Sequence, residues 1–142
     1  MAKTFILRLL TPDRSVFEDE VEGVIVPGEQ GELGVLASHA PLVSTLIPGV
    51  VRYIQNDNPF SCAISGGFVE VYGDGVTVLA DSLERPEEID VDRATKACDE
   101  AKRNLLSAIK TTDESAIAHC QEHLARAETR LKVAKLAGQK SA

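Results

Sequence analysis

Short stretches in which apolar and polar residues alternate, or apolar residues run together, recur through residues 1–86. They are Thr4–Leu10, Ser15–Glu18, Glu22–Val26, Gly34–Leu36, Leu42–Leu46, Val50–Gln55, Phe60–Ser65, Phe68–Tyr72 and Val76–Ala80. A period of two puts successive side chains on opposite faces of a strand. Breaks fall at Pro12-Asp13, Pro27-Gly28, Pro48-Gly49, Asn56-Asp57-Asn58-Pro59, Gly66-Gly67 and Gly73-Asp74-Gly75. Turn signals about 8–12 residues apart predict an antiparallel sandwich or barrel. No helical pattern alternates with these strands, which argues against a parallel α/β sheet.

After Pro86 the period changes. Ala94, Cys98, Ala101, Leu105 and Ala108 recur at spacings of 4, 3, 4 and 3, and Ile117, Cys120, Leu124, Ala127, Leu131 and Ala134 at 3, 4, 3, 4 and 3. Two such stripes predict a pair of antiparallel helices meeting along a narrow seam. Asp90 is placed to cap the first helix, with Asp92 in its first turn facing the positive end of the dipole. Thr111 and Glu114 have the spacing of a capping box for the second. At about 0.8 kcal/mol per buried methylene, an alanine-rich seam holds weakly, so this hairpin is expected to detach easily.

Composition sharpens the division. Residues 1–86 hold all 6 prolines, 9 of the 10 glycines and all 6 aromatics, whereas residues 87–142 hold 11 alanines. The domains are therefore read as 1–86 and 87–142. The net charge of -7 lies in the first part, with 5 basic and 12 acidic residues; the second has 10 of each. An acidic chain without Trp argues against nucleic-acid binding and against a stacking platform. No run reaches the roughly 18 apolar residues of a membrane span, and Met1-Ala2-Lys3-Thr4 has no leader character. Three scattered cysteines, Cys62, Cys98 and Cys120, suit a reducing compartment.

No catalytic set is visible. His119 and His123 have the i,i+4 spacing of a helical metal chelate, but the further ligands that a zinc site requires are missing, so no metal is expected. The segment Gly28-Glu29-Gln30-Gly31-Glu32-Leu33-Gly34 lacks the Lys-Ser/Thr of a phosphate loop. It reads as a chain of tight turns with positive φ, tipped by acids suited to a basic partner. Ser65-Gly66-Gly67-Phe68 reads as a hairpin turn, and Cys62 as a buried small hydrophobe.

Pro27-Gly28-x-x-Gly31-x-Leu33-Gly34-Val35-Leu36-x-x-His39-Ala40-Pro41-Leu42, then Leu46-x-Pro48-Gly49, resembles the signature of the epsilon subunits of F-type ATP synthases. Ile64-Ser65-Gly66-Gly67-Phe68-x-Glu70-Val71, Val76-Thr77-Val78-Leu79-Ala80-Asp81 and Ile89-Asp90-x-x-Arg93-Ala94 extend the likeness in order. It implies a flattened antiparallel β-sandwich of two five-stranded sheets followed by an antiparallel α-helical hairpin. It also implies a non-catalytic rotor subunit of the central stalk. The sandwich would bind the gamma subunit and rest on the c-ring, coupling proton flow to ATP synthesis. The hairpin would fold down or extend toward the alpha/beta catalytic head and inhibit ATP hydrolysis.

The resemblance assigns the c-ring and gamma contact to Glu29, Gln30, Gly31, Glu32, Leu33 and His39. For His39, a local hydrogen bond that locks the loop is the equal alternative. In some members the folded-down hairpin binds regulatory ATP, and the corresponding residues here are Glu84, Ile89, Asp90, Arg93, Arg126 and Arg130. Glu100 departs from that pattern, because an arginine stands there in those members. Otherwise no cofactor is implied. Arg126, Arg130, Lys132, Lys135 and Lys140 make residues 115–142 net +3, against -3 for residues 87–114. A basic last helix suits docking on acidic beta-subunit surfaces. The implied location is peripheral, on the cytoplasmic face of the bacterial plasma (inner) membrane. The competing reading is a stand-alone β-sandwich protein-binding module with a helical interaction tail. A small metalloenzyme using His119 and His123 is a third.

Overall fold

A computed structural model describes the backbone of residues 3–140 and the side chains of residues 3–136. Lys140 of the basic set therefore lies outside the described side chains. Ten strands come first: β1 Phe5–Leu10, β2 Ser15–Val21, β3 Gly23–Gly28, β4 Gly31–Leu36, β5 Leu42–Leu46, β6 Gly49–Gln55, β7 Asn58–Ile64, β8 Gly67–Tyr72, β9 Gly75–Ala80 and β10 Leu83–Glu84. A 3₁₀ turn at Pro86–Glu88 precedes α1 Val91–Thr111 and α2 Glu114–Lys140. The chain divides into two compact units between Leu83 and Glu84.

The class is a β-sandwich followed by two helices, as the pattern predicts. Two details differ from the expectation. The strands form one hydrogen-bonded path, β10-β7-β6-β3-β5-β8-β9-β1-β2, with β4 paired to β3, rather than two separate five-stranded sheets. Strand β3 causes this: it pairs with β6 through Gly23–Ile25 and with β5 through Gly28, so it belongs to both layers. In addition, β1 and β9 run parallel. Their register sets Leu7 beside Val76 and Leu9 beside Val78, all four buried in the core. Val21, Val26, Val35, Val51 and Val69 complete its fully buried set.

Turn chemistry explains two connections. Asn56 and Asp57 have φ of 54° and 64° and join β6 to β7 where Gln55 pairs with Asn58. Short polar side chains tolerate that left-handed geometry, which matches the twist of a two-residue hairpin. Gly66-Gly67 is a different case, and the expected hairpin turn is not there. β7 pairs with β6, whereas β8 pairs with β5 and β9. The glycines carry the chain from one layer to the other. Gly67 has φ 143°, and a Cβ on it would lie 2.0 Å from the Leu79 carbonyl oxygen.

In the helical unit the Asp90 carboxylate accepts a hydrogen bond from the Arg93 amide at 3.2 Å, the expected cap. The second cap is not the predicted one. Thr111 still belongs to α1, and its hydroxyl donates to the Ala108 carbonyl at 2.7 Å. Asp113 caps α2 instead, accepting from the amides of Ser115 at 3.0 Å and Ala116 at 3.3 Å. Thr112, at φ 57°, makes the left-handed link between the helices. Cys98, Ala101 and Ala127 form the buried seam, with Leu124 and Leu131 against it. Val133 lies off the predicted stripe and is fully buried. No described helix is long and apolar enough to cross a membrane.

Candidate functional site

The glycine-rich segment forms a β3–β4 hairpin rather than a series of tight turns. Gly28 pairs with Gly31, which leaves Glu29-Gln30 as a two-residue turn. Of the glycines in this segment, only Gly31 has positive φ, 126°. Gly28 answers a different need, since a Cβ there would meet the Gly31 carbonyl oxygen at 2.7 Å.

The strand geometry sorts the predicted contact residues. Glu29, Gln30, Gly31 and Glu32 are exposed together at one end of the hairpin. Leu33 turns inward and packs against the core. Glu32 turns outward, where its Oε2 accepts from Arg52 Nη2 at 2.6 Å. Glu29 has no ion pair among the described residues. His39 is not part of this group. It follows the far end of β4, and at about 3.3 Å per residue that strand sets it roughly 20 Å from the turn. Its Nδ1–H donates to the Ala40 carbonyl at 2.7 Å, beside Ser38 at φ 69°.

Two outward faces carry more apolar surface than the sequence suggests. Across β4, β3 and β6, Gly23, Ile25, Gly34, Leu36, Arg52 and Ile54 line a groove of about 430 Å³. On the other layer, Val43, Phe68 and Leu79 are exposed, Phe68 pairing with both Thr45 and Leu79. Beside them, Arg8 bridges Glu18 on β2 and Tyr72 on β8, and Tyr72 also meets Thr77 on β9 at 3.0 Å. The hydrogen bond to Glu18, then the Tyr72 phenol, raise the Arg8 pKa further above its ordinary range. Alternation along each strand predicts one inward face. Apolar residues on the outward face carry no signal until strand register is known.

The hairpin residues separate similarly. Arg130 holds Glu84 through two hydrogen bonds, Nε–Oε1 at 2.6 Å and Nη2–Oε2 at 3.1 Å. Arg126 pairs with Glu122 at 2.7 Å, one helical turn away. Ile89 is buried and Asp90 is engaged in its cap. Arg93 is exposed and makes no ion pair among the described residues. Lys132 and Lys135 are exposed on α2. His119, Cys120 and His123 line a cleft of about 150 Å³ with Ala101 and Asn104. No group of three or more residues able to hold a metal occurs among the described residues.

The chain thus combines a β-sandwich with a helical hairpin, its exposed charged residues including the β3–β4 turn and α2. The family described as ATP synthase, Delta/Epsilon chain, beta-sandwich domain matches residues 4–86, and its long alpha-helix domain matches residues 87–135. The chain belongs to the ATP synthase delta/epsilon chain family. A relative from Desulfitobacterium hafniense (strain Y51), named ATP synthase epsilon chain, is 47% identical over 74% of this chain and 80% of its own length. Relatives of the same name from Nitratidesulfovibrio vulgaris (strain DP4) and Shouchella clausii are 43% and 42% identical. The first spans 94% of this chain and 97% of its own length, the second 95% and 98%. Among solved structures, a chain of the Euglena gracilis mitochondrial ATP synthase, OSCP/F1/c-ring in rotational state 1, superposes with a TM-score of 0.78. It is 28% identical and covers 92% of this chain and 81% of its own.

Proposed function

We infer that the chain is the epsilon subunit of a bacterial F-type ATP synthase, a non-catalytic part of the central stalk. The observation that carries this is the end-to-end match to proteins named ATP synthase epsilon chain. The β unit grips the gamma subunit and seats its acidic β3–β4 turn on the c-ring, so that rotation driven by protons reaches the alpha/beta head. The helical unit regulates: released from its weak seam, α2 brings Arg126, Arg130, Lys132 and Lys135 to the catalytic head and slows hydrolysis. The subunit sits at the cytoplasmic face of the plasma membrane through the complex. Co-purification from bacterial membranes tests this assignment. Recovery with gamma, c-ring and catalytic subunits is expected. Stable self-association without them would instead support a stand-alone binding module.

Glu32 is the sharpest single test of the contact. In Glu32→Lys, a cation replaces the carboxylate that Arg52 holds at 2.6 Å, so the local charge reverses. An exposed pair contributes only about 0–1 kcal/mol to folding, so thermal stability should hardly move. ATP-driven proton pumping, followed by acidification of inverted vesicles, is expected to fall several-fold. Undiminished pumping would remove Glu32 from the contact.

The hairpin offers ATP a poor cationic cradle. Arg130 is taken by Glu84, Arg126 by Glu122, and Glu100 adds negative charge seven residues after Arg93. Guanidinium forks bind phosphate well only when they are available. Isothermal titration is expected to show no ATP binding below millimolar nucleotide. Micromolar affinity would overturn this reading.

A further inference from the structure

We propose that Arg52 is a positioning residue for Glu32, fixing how that carboxylate meets a cation on the partner surface. The proposal rests on the reading of Glu32 as a contact residue. Nothing in the local sequence joins the two, which stand on β6 and β4 with β3 between them. Register brings them together. Gly34, Ile25 and Arg52 lie opposite one another across the three strands, and Glu32 is two residues along β4 from Gly34 on the same outward face. Gly34 has no side chain, and a Cβ there would find nothing within 4 Å, so this row of the face stays open toward Glu32.

The ion pair uses one carboxylate oxygen, Oε2, and one guanidinium nitrogen, Nη2. The second oxygen, Oε1, accepts no hydrogen bond among the described residues, and the Glu32 side chain is 62% exposed. A carboxylate held by one cation still has lone pairs for a second. Arg52 thus favours one orientation of a flexible, exposed side chain and leaves its second oxygen without a hydrogen bond among the described residues. Ordering it beforehand lowers the entropy lost when a partner lysine or arginine arrives. Arg52 also lines the apolar groove with Ile25, Leu36 and Ile54, so a partner resting there would meet the pair at the groove's edge.

The test is a double-mutant cycle on the full chain. Purified Glu32→Gln, Arg52→Gln, the double variant and Arg52→Lys are rebound to bacterial synthase membranes stripped of their own subunit, at low and high salt. If Arg52 acts through Glu32, each single change weakens rebinding about two- to five-fold, the scale of an exposed ion pair. The double variant is then no weaker than Glu32→Gln alone. Arg52→Lys keeps most of the affinity, and the differences shrink at high salt. Additive losses, or an Arg52→Gln variant that rebinds like wild type while Glu32→Gln does not, would overturn the positioning role alone. Wild-type rebinding by Glu32→Gln would overturn the contact reading, and the proposal with it. Melting temperatures of all variants separate these outcomes from a general loss of fold.

Discussion

Removing residues 87–142 is expected to raise ATP hydrolysis by the assembled synthase about five-fold or more, the lower end of coupling between regulatory and functional states. The remaining β unit should still bind, because its core cluster is built from its own residues. Every member of that core, from Phe5 to Leu83, lies before the cut. What is lost is a helix pair whose seam is built on Cys98, Ala101 and Ala127. Such residues bury few methylenes at about 0.8 kcal/mol each, so the pair is expected to open at modest cost. Opening frees a basic α2, which suits an acidic partner and whose effect falls with ionic strength. Hydrolysis measured with full-length and truncated chains on stripped membranes decides it. Equal rates would show that the helices do not regulate.

Gly67→Ala is expected to have the largest effect on stability. The added methyl would sit 2.0 Å from a backbone carbonyl oxygen and 2.9 Å from the Ala80 Cα, at a φ of 143°. Neither neighbour can swing aside, because both belong to β9, hydrogen-bonded to β8 and β1. Strain and backbone displacement together should cost about 3 kcal/mol or more. That corresponds to a fall of at least about 12 °C in Tm for a unit of this size. Gly34→Ala is the control: it has open space around its Cβ and no positive φ, so it should melt near wild type. Calorimetry on the two variants checks the contrast. Equal melting would mean that the Gly66-Gly67 crossing is adaptable.

Much of the fold was legible because it rests on local periodicity. Leu7 and Leu9 alternate with polar Arg8 along β1, and the 3-4 spacing of Cys98, Ala101, Leu124 and Ala127 marks the seam. The Asn56-Asp57 turn and the Asp90 cap were legible because their geometry is decided within a few residues. What escaped depends on which elements meet and where each one ends. Gly66-Gly67 has the composition of a hairpin turn, yet β7 and β8 find other partners. Thr111 and Glu114 have capping-box spacing, but α1 runs one residue too far and Asp113 takes the role. The candidate site followed the same division. The acidic turn at Glu29–Glu32 was visible, whereas its separation from His39 needed β4 to begin at Gly31. The pair Arg52–Glu32 bridges residues 20 positions apart through strand register, and Arg130–Glu84 bridges 46 through the packing of α2 within its own unit.

In the function proposed above, this chain couples c-ring rotation to the catalytic head. The most direct test of that coupling is ATP-driven acidification of inverted bacterial membrane vesicles stripped of their own epsilon subunit, with and without the purified full-length chain. Added chain is expected to restore the proton gradient while lowering the rate of ATP hydrolysis. A chain that stays in the unbound fraction, with acidification unchanged, would contradict the account.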